Sequence, residues 1–117
     1  TGTSYFLPRQ VGLSKAKELV LTGELLDAEE AEDLGLFNHV FEEDFEAQVS
    51  EFIEPIATGP TVALRTSKQL IEQGFETSLG DAITNEAASQ AAVFDSHDHE
   101  EGATAFMEGR EPEFEGR

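Results

Sequence analysis

The sequence has no cysteine and no tryptophan, and only seven lysines and arginines stand against 25 aspartates and glutamates. Without cysteine, the chain can form no disulfide, thiolate nucleophile or cysteine-ligated metal site. The net charge of −18 argues against nucleic-acid binding, because phosphate contacts need clustered cations. It also argues against an anionic membrane surface, and no apolar run approaches the roughly 20 residues of a membrane span. We therefore expect a cytoplasmic protein with neither nucleic acid nor membrane as partner.

A length of 117 residues fits one domain or a piece of a larger one. The first residue is Thr1, and the single methionine is Met107. Several apolar helix faces are predicted, and a chain of this size has difficulty covering all of them. We therefore expect a fragment or a processed product, whose helices pack against something that this sequence does not contain.

The acidic residues are interleaved with apolar ones, as in segments 29–33 and 42–46, rather than gathered in a tail. Such interleaving is typical of a solvated helix face. The alternative is adaptation to concentrated salt, in which screening relieves the self-repulsion of a highly charged chain. Only three of the seven basic residues are lysines. We predict a halophilic protein from a salt-rich cytoplasm.

Apolar residues at helical spacing predict a mainly α chain with at most two short strands. Pro8 is expected only in a first helical turn or a loop. Ser14 and Asp98 are predicted N-caps, and Asp27 with Glu30 resembles a capping box. Pro112 is expected to end the last helix. The predicted helices cover 3–11, 14–22, 27–34, 45–56, 60–75, 79–94 and 98–111, and the candidate strands are 25–26 and 36–41.

Candidate chemistry is sparse. The segment 97–100, His-Asp-His-Glu, is the one cluster that looks like a metal site. Its place at a predicted helix start favours capping by Asp98, so we expect no metal there. No histidine in the sequence can be matched to Ser4 or Tyr5 as the base of a hydrolase triad. Gly2 and Gly12 lack the spacing of a phosphate loop. From the residues alone, no active site is predicted, and the aspartates are expected to be caps or surface groups.

Three segments in order carry a resemblance. Residues 2–12 are GTSYFLPRQVG, residues 21–40 follow the pattern L-T-G-x-x-x-x-A-x-x-A-x-x-x-G-L-x-x-x-V, and residues 101–108 are EGATAFME. Arg110, Pro112 and Phe114 continue the last segment. Together they resemble the C-terminal half of the crotonases, the enoyl-CoA hydratase/isomerase superfamily.

The resemblance implies the helical C-terminal part of the crotonase-type α/β spiral fold. Residues 1–57 would end the spiral core and carry the acyl-pocket helix, and residues 58–117 would form a helical oligomerisation region. The implied parent is an acyl-CoA-processing enzyme of fatty-acid metabolism, foremost an enoyl-CoA hydratase. An enoyl-CoA isomerase and a non-catalytic helical association module are the alternatives. A homo-trimer or hexamer is implied, and no cofactor besides the coenzyme A thioester that serves as substrate.

The resemblance also implies roles for a few residues. The absent N-terminal half would supply the enolate-stabilising N–H groups and the catalytic carboxylates, so this chain holds no catalytic residue and is expected to be inactive alone. Phe6 and Leu7 would line the acyl pocket, or simply pack in the core. Phe106 would stack on the CoA adenine, or lie buried under its helix. The family's phosphate-binding lysine falls at Gly109, so Arg110 is the candidate substitute.

Overall fold

The computed structural model describes residues 2–117, of which 69% are helical and none is in a β-strand. The prediction of a mainly α chain is confirmed. Thr1, with which the predicted segment 1–57 begins, lies outside the described residues. The helices are α1 (Thr3–Val11), α2 (Leu13–Thr22), α3 (Ala28–Asp33), α4 (Phe45–Ala57), α5 (Thr61–Gly74), α6 (Leu79–Phe94) and α7 (His97–Glu108).

The chain divides into two compact units, residues 1–48 and residues 49–117. The first unit holds α1, α2, α3 and the start of α4, and the second unit holds the rest of α4 with α5, α6 and α7. The functional division after residue 57 stays a prediction.

Glycine sets the helix boundaries in the first unit. Gly12, with φ of 81°, lies between α1 and α2, and this left-handed φ favours glycine because it has no Cβ. α2 begins at Leu13, so the prediction of Ser14 as its N-cap is wrong. The positive φ at Gly12 already turns the chain into α2. Gly23 ends α2 as predicted, with φ of 67°.

α3 begins with the predicted capping box. The Glu30 N–H donates to Asp27 Oδ1 at 2.8 Å, and the Asp27 N–H donates to Glu30 Oε2 at 3.2 Å. The two residues thereby satisfy N–H groups that an isolated helix start leaves free. This local motif was visible in the sequence because both partners lie within one turn.

Neither candidate strand is formed within the described chain. A strand needs a neighbouring strand for its backbone groups, and residues 2–117 provide none. In the segment 36–41, the Leu36 N–H donates to the Ala31 carbonyl at 2.8 Å, and the Val40 N–H donates to Glu32 Oε1 at 3.1 Å. The segment therefore folds against the end of α3.

Pro8 lies in the second turn of α1, contrary to the expectation of a first turn or a loop. The missing proline N–H removes one hydrogen bond from the helix. The next residue, Arg9, adds a side-chain contact: its Nη1 donates to the Tyr5 carbonyl at 2.9 Å, and its guanidinium carbon lies 3.5 Å from the centre of the Tyr5 ring. Such a cation–π contact adds to the stability of a helix that proline weakens.

Serine caps the two last helices. Ser78 Oγ accepts from the Asp81 N–H at the start of α6, and Ser96 Oγ accepts from the His99 N–H at the start of α7, both at 3.2 Å. The prediction of Asp98 as N-cap is therefore wrong. α7 ends at Gly109, whose φ is 68°, before Pro112 is reached. A left-handed glycine ends the helix earlier than the proline could.

Large apolar side chains are mostly exposed. Among residues 2–117, the buried apolar residues are Ala16, Ala31 and Ala105. The predicted stripes are uncovered within the described chain: Ile83 of α6 is 58% exposed and Phe75, which follows α5, is 72% exposed. The expectation that these faces find too little cover in this chain is confirmed. No helix among residues 2–117 is both long and apolar enough to cross a bilayer.

Candidate functional site

The last turn of α7 presents two large apolar side chains to solvent. Phe106 is 88% exposed and its neighbour Met107 is 86% exposed. The alternative that Phe106 lies buried under its own helix is therefore wrong for this chain. α7 holds this turn through Ala105, which is 1% exposed and faces inward. A flat aromatic face is thus available on the surface of the second unit.

Arg110 lies two residues beyond the end of α7, and carboxylates already bind it. Its Nη1 and Nη2 lie 2.6 and 2.9 Å from the two carboxylate oxygens of Glu101, and its Nε lies 2.7 Å from Glu108 Oε2. Bidentate pairs of this kind are among the stronger hydrogen-bonded contacts in proteins. The carboxylates of Glu101 and Glu108 therefore already compensate the positive charge that Arg110 would offer to a phosphate.

Glu101 is the centre of this cluster. The Glu113 N–H donates to Glu101 Oε1 at 2.8 Å. Hydrogen bonds from Arg110 and from the Glu113 N–H lower the pKa of Glu101 from 4.5 to about 2. Hydrogen bonds to Glu101 and Glu108 in turn raise the pKa of Arg110. Glu101 is thus held as a carboxylate and is unsuited to proton transfer near neutral pH.

The residues of the segment 97–100 point to different partners. His97 Nε2 lies 3.9 Å from Glu115 Oε1, and the His99 ring lies 4.7 Å from the Phe94 ring. The carboxylate of Asp98 is occupied by two backbone N–H groups of the C-terminal tail, which we define as residues 111–117. Among residues 2–117, no three histidine, aspartate or glutamate side chains lie close enough together to hold a metal ion.

Asp98 is buried, contrary to the prediction from the sequence. It was expected at the surface or as a cap, yet it is 2% exposed. Its partners, Glu115 and Gly116, lie 17 and 18 residues further along the chain. Capping rules consider only the nearest turn, so no local signal identifies an anchor whose partners are so distant.

The second candidate surface lies on α1 in the first unit. Phe6 is 62% exposed, and Leu7 is half-buried. The Phe6 ring meets the Tyr5 ring edge-on at 5.1 Å between centroids. The resemblance implies an acyl pocket for Phe6 and Leu7, with core packing as the alternative, and the exposure of Phe6 leaves its ring open to a further contact.

A family model described as enoyl-CoA hydratase/isomerase matches residues 1–117. The mitochondrial methylglutaconyl-CoA hydratase of Mus musculus is 36% identical, over 98% of this chain and 38% of that protein. The short-chain-enoyl-CoA hydratase of Clostridioides difficile is 37% identical, over 90% of this chain and 68% of that protein. The chain therefore spans less than half of the mouse relative and about two thirds of the clostridial one.

Solved structures of enoyl-CoA hydratases are also similar to this chain. The enoyl-CoA hydratase of Bacillus anthracis superposes with a TM-score of 0.93 at 33% identity, over 99% of this chain and 45% of that one. The enoyl-CoA hydratase/isomerase of Cupriavidus metallidurans gives a TM-score of 0.88 at 36% identity, over 98% of this chain and 44% of that one. The chain therefore has the helical fold of the matching part of these proteins.

Proposed function

Because this chain belongs to the enoyl-CoA hydratase/isomerase family, we propose that it is the C-terminal portion of an enoyl-CoA hydratase, which adds water to a trans-2-enoyl-CoA. One observation carries the proposal: the family model and the hydratase relatives match essentially the whole chain. Double-bond isomerisation is the alternative, because the family description names both activities.

The proposed division of labour places the chemistry outside this chain. Hydration of an enoyl thioester needs an oxyanion hole for the enolate and carboxylates that act as base and acid. Two carboxylates of this chain are engaged elsewhere: Glu101 is bound by Arg110, and Asp98 by the C-terminal tail. We propose that the remaining part of the enzyme supplies the catalytic groups, and that this chain by itself is inactive.

We propose that this chain contributes to binding of the coenzyme A thioester through Phe106. An exposed ring can stack on an adenine, a contact worth about 1–3 kcal/mol by analogy with base–aromatic stacking. Arg110 stands close by, but Glu101 and Glu108 already compensate its charge. Affinity for a phosphorylated ligand would therefore depend on salt that screens the surrounding carboxylates.

For the acyl end of the substrate, Phe6 and Leu7 on α1 are the proposed lining. The exposed ring of Phe6 offers apolar area to an acyl chain, in keeping with the apolar lining of most small-molecule sites. A Phe6→Ala variant of the full-length enzyme should then change the preference among acyl chain lengths. An equal loss for every chain length would indicate a role in folding instead.

The exposed apolar faces support a homo-oligomer, a trimer or hexamer. Exposed apolar surface favours association, and the charge of −18 is better tolerated in concentrated salt, which screens it. Light scattering on the full-length enzyme at high KCl tests whether it is a trimer or hexamer. A strictly monomeric, folded species would contradict it.

The decisive experiment is an assay of crotonyl-CoA hydration. The full-length enzyme should consume the enoyl thioester, and the 117-residue chain should not. Turnover by the chain alone would show that catalytic groups lie within it. A full-length enzyme that moves the double bond of a 3-enoyl-CoA but adds no water would favour the isomerase.

A further inference from the structure

The C-terminal tail runs back along α7 and is hydrogen-bonded to it in order. The Glu113 N–H donates to Glu101 Oε1 at 2.8 Å, the Glu115 N–H to Asp98 Oδ1 at 2.7 Å, and the Gly116 N–H to Asp98 Oδ2 at 2.9 Å. The Asp98 N–H then donates to the Arg117 carbonyl at 3.0 Å. The tail therefore lies antiparallel to α7 and reaches its first turn.

Asp98 is the anchor of this arrangement. A buried carboxylate is unfavourable unless its charge is compensated by hydrogen bonds or ions. Both oxygens of Asp98 accept backbone N–H groups, and its place in the first turn of α7 puts it at the positive end of the helix dipole. The burial of Asp98 thus depends on the tail, and the position of the tail depends on Asp98.

Side chains of the tail also pack against α7 and the start of α5. The Phe114 ring packs over Gly102 of α7, with Cε1 3.4 Å from the point where a Cβ would stand. Gly116 adopts φ of +79°, and a Cβ there would lie 3.4 Å from Thr61 Oγ1 at the start of α5. Phe114 also lines an open cavity of about 260 Å³, together with Pro60 and Ala63.

Besides the tail, α7 has few buried side chains and a ring contact, that of His99 with Phe94. Its buried residues are Asp98 and Ala105, and Gly102 in its middle lowers its helix propensity. A helix of 12 residues is marginal in water without tertiary packing. Its last turn, with exposed Phe106 and Met107, is held by the buried Ala105 and by Arg110, which follows the helix and binds Glu101.

We propose that the C-terminal tail, anchored on Asp98 and Glu101, fixes the last turn of α7 and thereby the orientation in which Phe106 is presented. Asp98 and Glu101 are then positioning residues: they act on Phe106 through the tail and through Arg110. The statement about the helix stands on the contacts above, and only its last step, the orientation of Phe106 toward a CoA thioester, rests on the proposed function.

Two variants of the 117-residue chain test the helix. Asp98→Asn keeps the shape but replaces one acceptor oxygen by a donor NH₂ group, so one tail N–H loses its partner. Deletion of residues 115–117 removes both donors, together with the Arg117 carbonyl that accepts from the Asp98 N–H, and leaves the sequence of α7 unchanged. Glu100→Gln is the matched control, since Glu100 is an exposed acid on the same helix.

Hydrogen exchange at the amides of residues 105–108 is the readout. Exchange should accelerate about tenfold or more in both variants, because local opening becomes easier, and should stay as in the wild type in Glu100→Gln. Unchanged exchange in the deletion variant overturns the proposal, even if Asp98→Asn fails to fold.

A second readout separates positioning from general stability. In the full-length enzyme, Asp98→Asn should raise KM for the enoyl-CoA several-fold and leave kcat nearly unchanged, because uniform binding is lost without loss at the reacting atoms. An equal fall in kcat would overturn the positioning role. If Phe106→Ala leaves KM unchanged while exchange still accelerates in the tail variants, the proposed CoA contact fails and the tail remains the element that fixes α7.

Discussion

The guanidinium of Arg110 binds both carboxylate oxygens of Glu101, nine residues earlier, at 2.6 and 2.9 Å. This pair joins the end of α7 to its middle and, together with the Glu113 N–H, lowers the pKa of Glu101 to about 2. Carboxylates held in this way contribute stability that depends on pH.

The first prediction concerns acid stability. The pKa of Glu101 is lowered from 4.5 in its ordinary setting to about 2 in the folded chain. Its contribution is therefore complete above pH 4.5 and is lost as the pH falls toward 2. As the pH falls between these values, the wild type should lose stability relative to Glu101→Gln, so the difference between their urea midpoints should shrink. Glu100→Gln, the control, should follow the wild type. Parallel curves for all three proteins would contradict the prediction.

The second prediction concerns the capping box of α3. Asp27→Ala removes the acceptor of the Glu30 N–H and should lower the free energy of unfolding by about 1 kcal/mol. Asp27→Asn, which keeps an acceptor oxygen, should lose much less. Urea denaturation of the three proteins measures this. An equal loss in both variants would show that charge, rather than the cap, matters at residue 27.

The third prediction separates this chain from the proposed assembly. Ile83 is 58% exposed here, so Ile83→Asp should change the stability of the 117-residue chain by no more than about 0.5 kcal/mol. In the full-length oligomer, the same aspartate would be buried without a partner, at a cost of several kcal/mol. Thermal melting and light scattering of both forms provide the comparison. A large loss in the short chain would mean that Ile83 is covered within it.

The fourth prediction concerns salt. Twenty-five acidic side chains repel one another, and molar salt shortens the Debye length to about 3 Å. The melting temperature should therefore rise with KCl up to molar concentrations. The sugar sucrose at equal osmolality is the control, since it raises stability without screening charge. A melting temperature that does not rise with KCl would remove the halophilic interpretation.

Local patterns predicted the parts of this structure that depend on neighbouring residues. The capping box at Asp27, the helix end at Gly23 and the long helix that begins after Ser78 involve partners within about one turn, and each is confirmed. The burial of Asp98 depends on Glu115 and Gly116, which no periodicity connects to it. The ion pair of Arg110 with Glu101 was missed for the same reason, because the helix must end at Gly109 before the chain can turn back.

The resemblance predicted the candidate site but not its electrostatics. Phe106 is exposed as a ligand contact requires, whereas Arg110 is taken up by two carboxylates. In the segment around Arg110, the sequence shows one cation among several acids. Only the structure shows that this cation pairs with Glu101 and Glu108. The proposed contact with coenzyme A therefore depends more on the aromatic ring than on the charge.

The fifth prediction tests that conclusion by titrating coenzyme A into the full-length enzyme at several KCl concentrations. Loss of stacking in Phe106→Ala should weaken binding about 5- to 150-fold, which corresponds to about 1–3 kcal/mol. Met107→Ala is the matched control, because Met107 is as exposed as Phe106 but has no ring.

Arg110→Ala should weaken binding less than Phe106→Ala does at every salt concentration, since its charge is already compensated by Glu101 and Glu108. Wild-type affinity should rise with KCl, because screening weakens the repulsion between the phosphates and the nearby acids. Had Arg110 been a phosphate ligand, its attraction would be screened and affinity would fall with salt. Equal affinity of wild type and Phe106→Ala at every KCl concentration would remove the last turn of α7 from the ligand site.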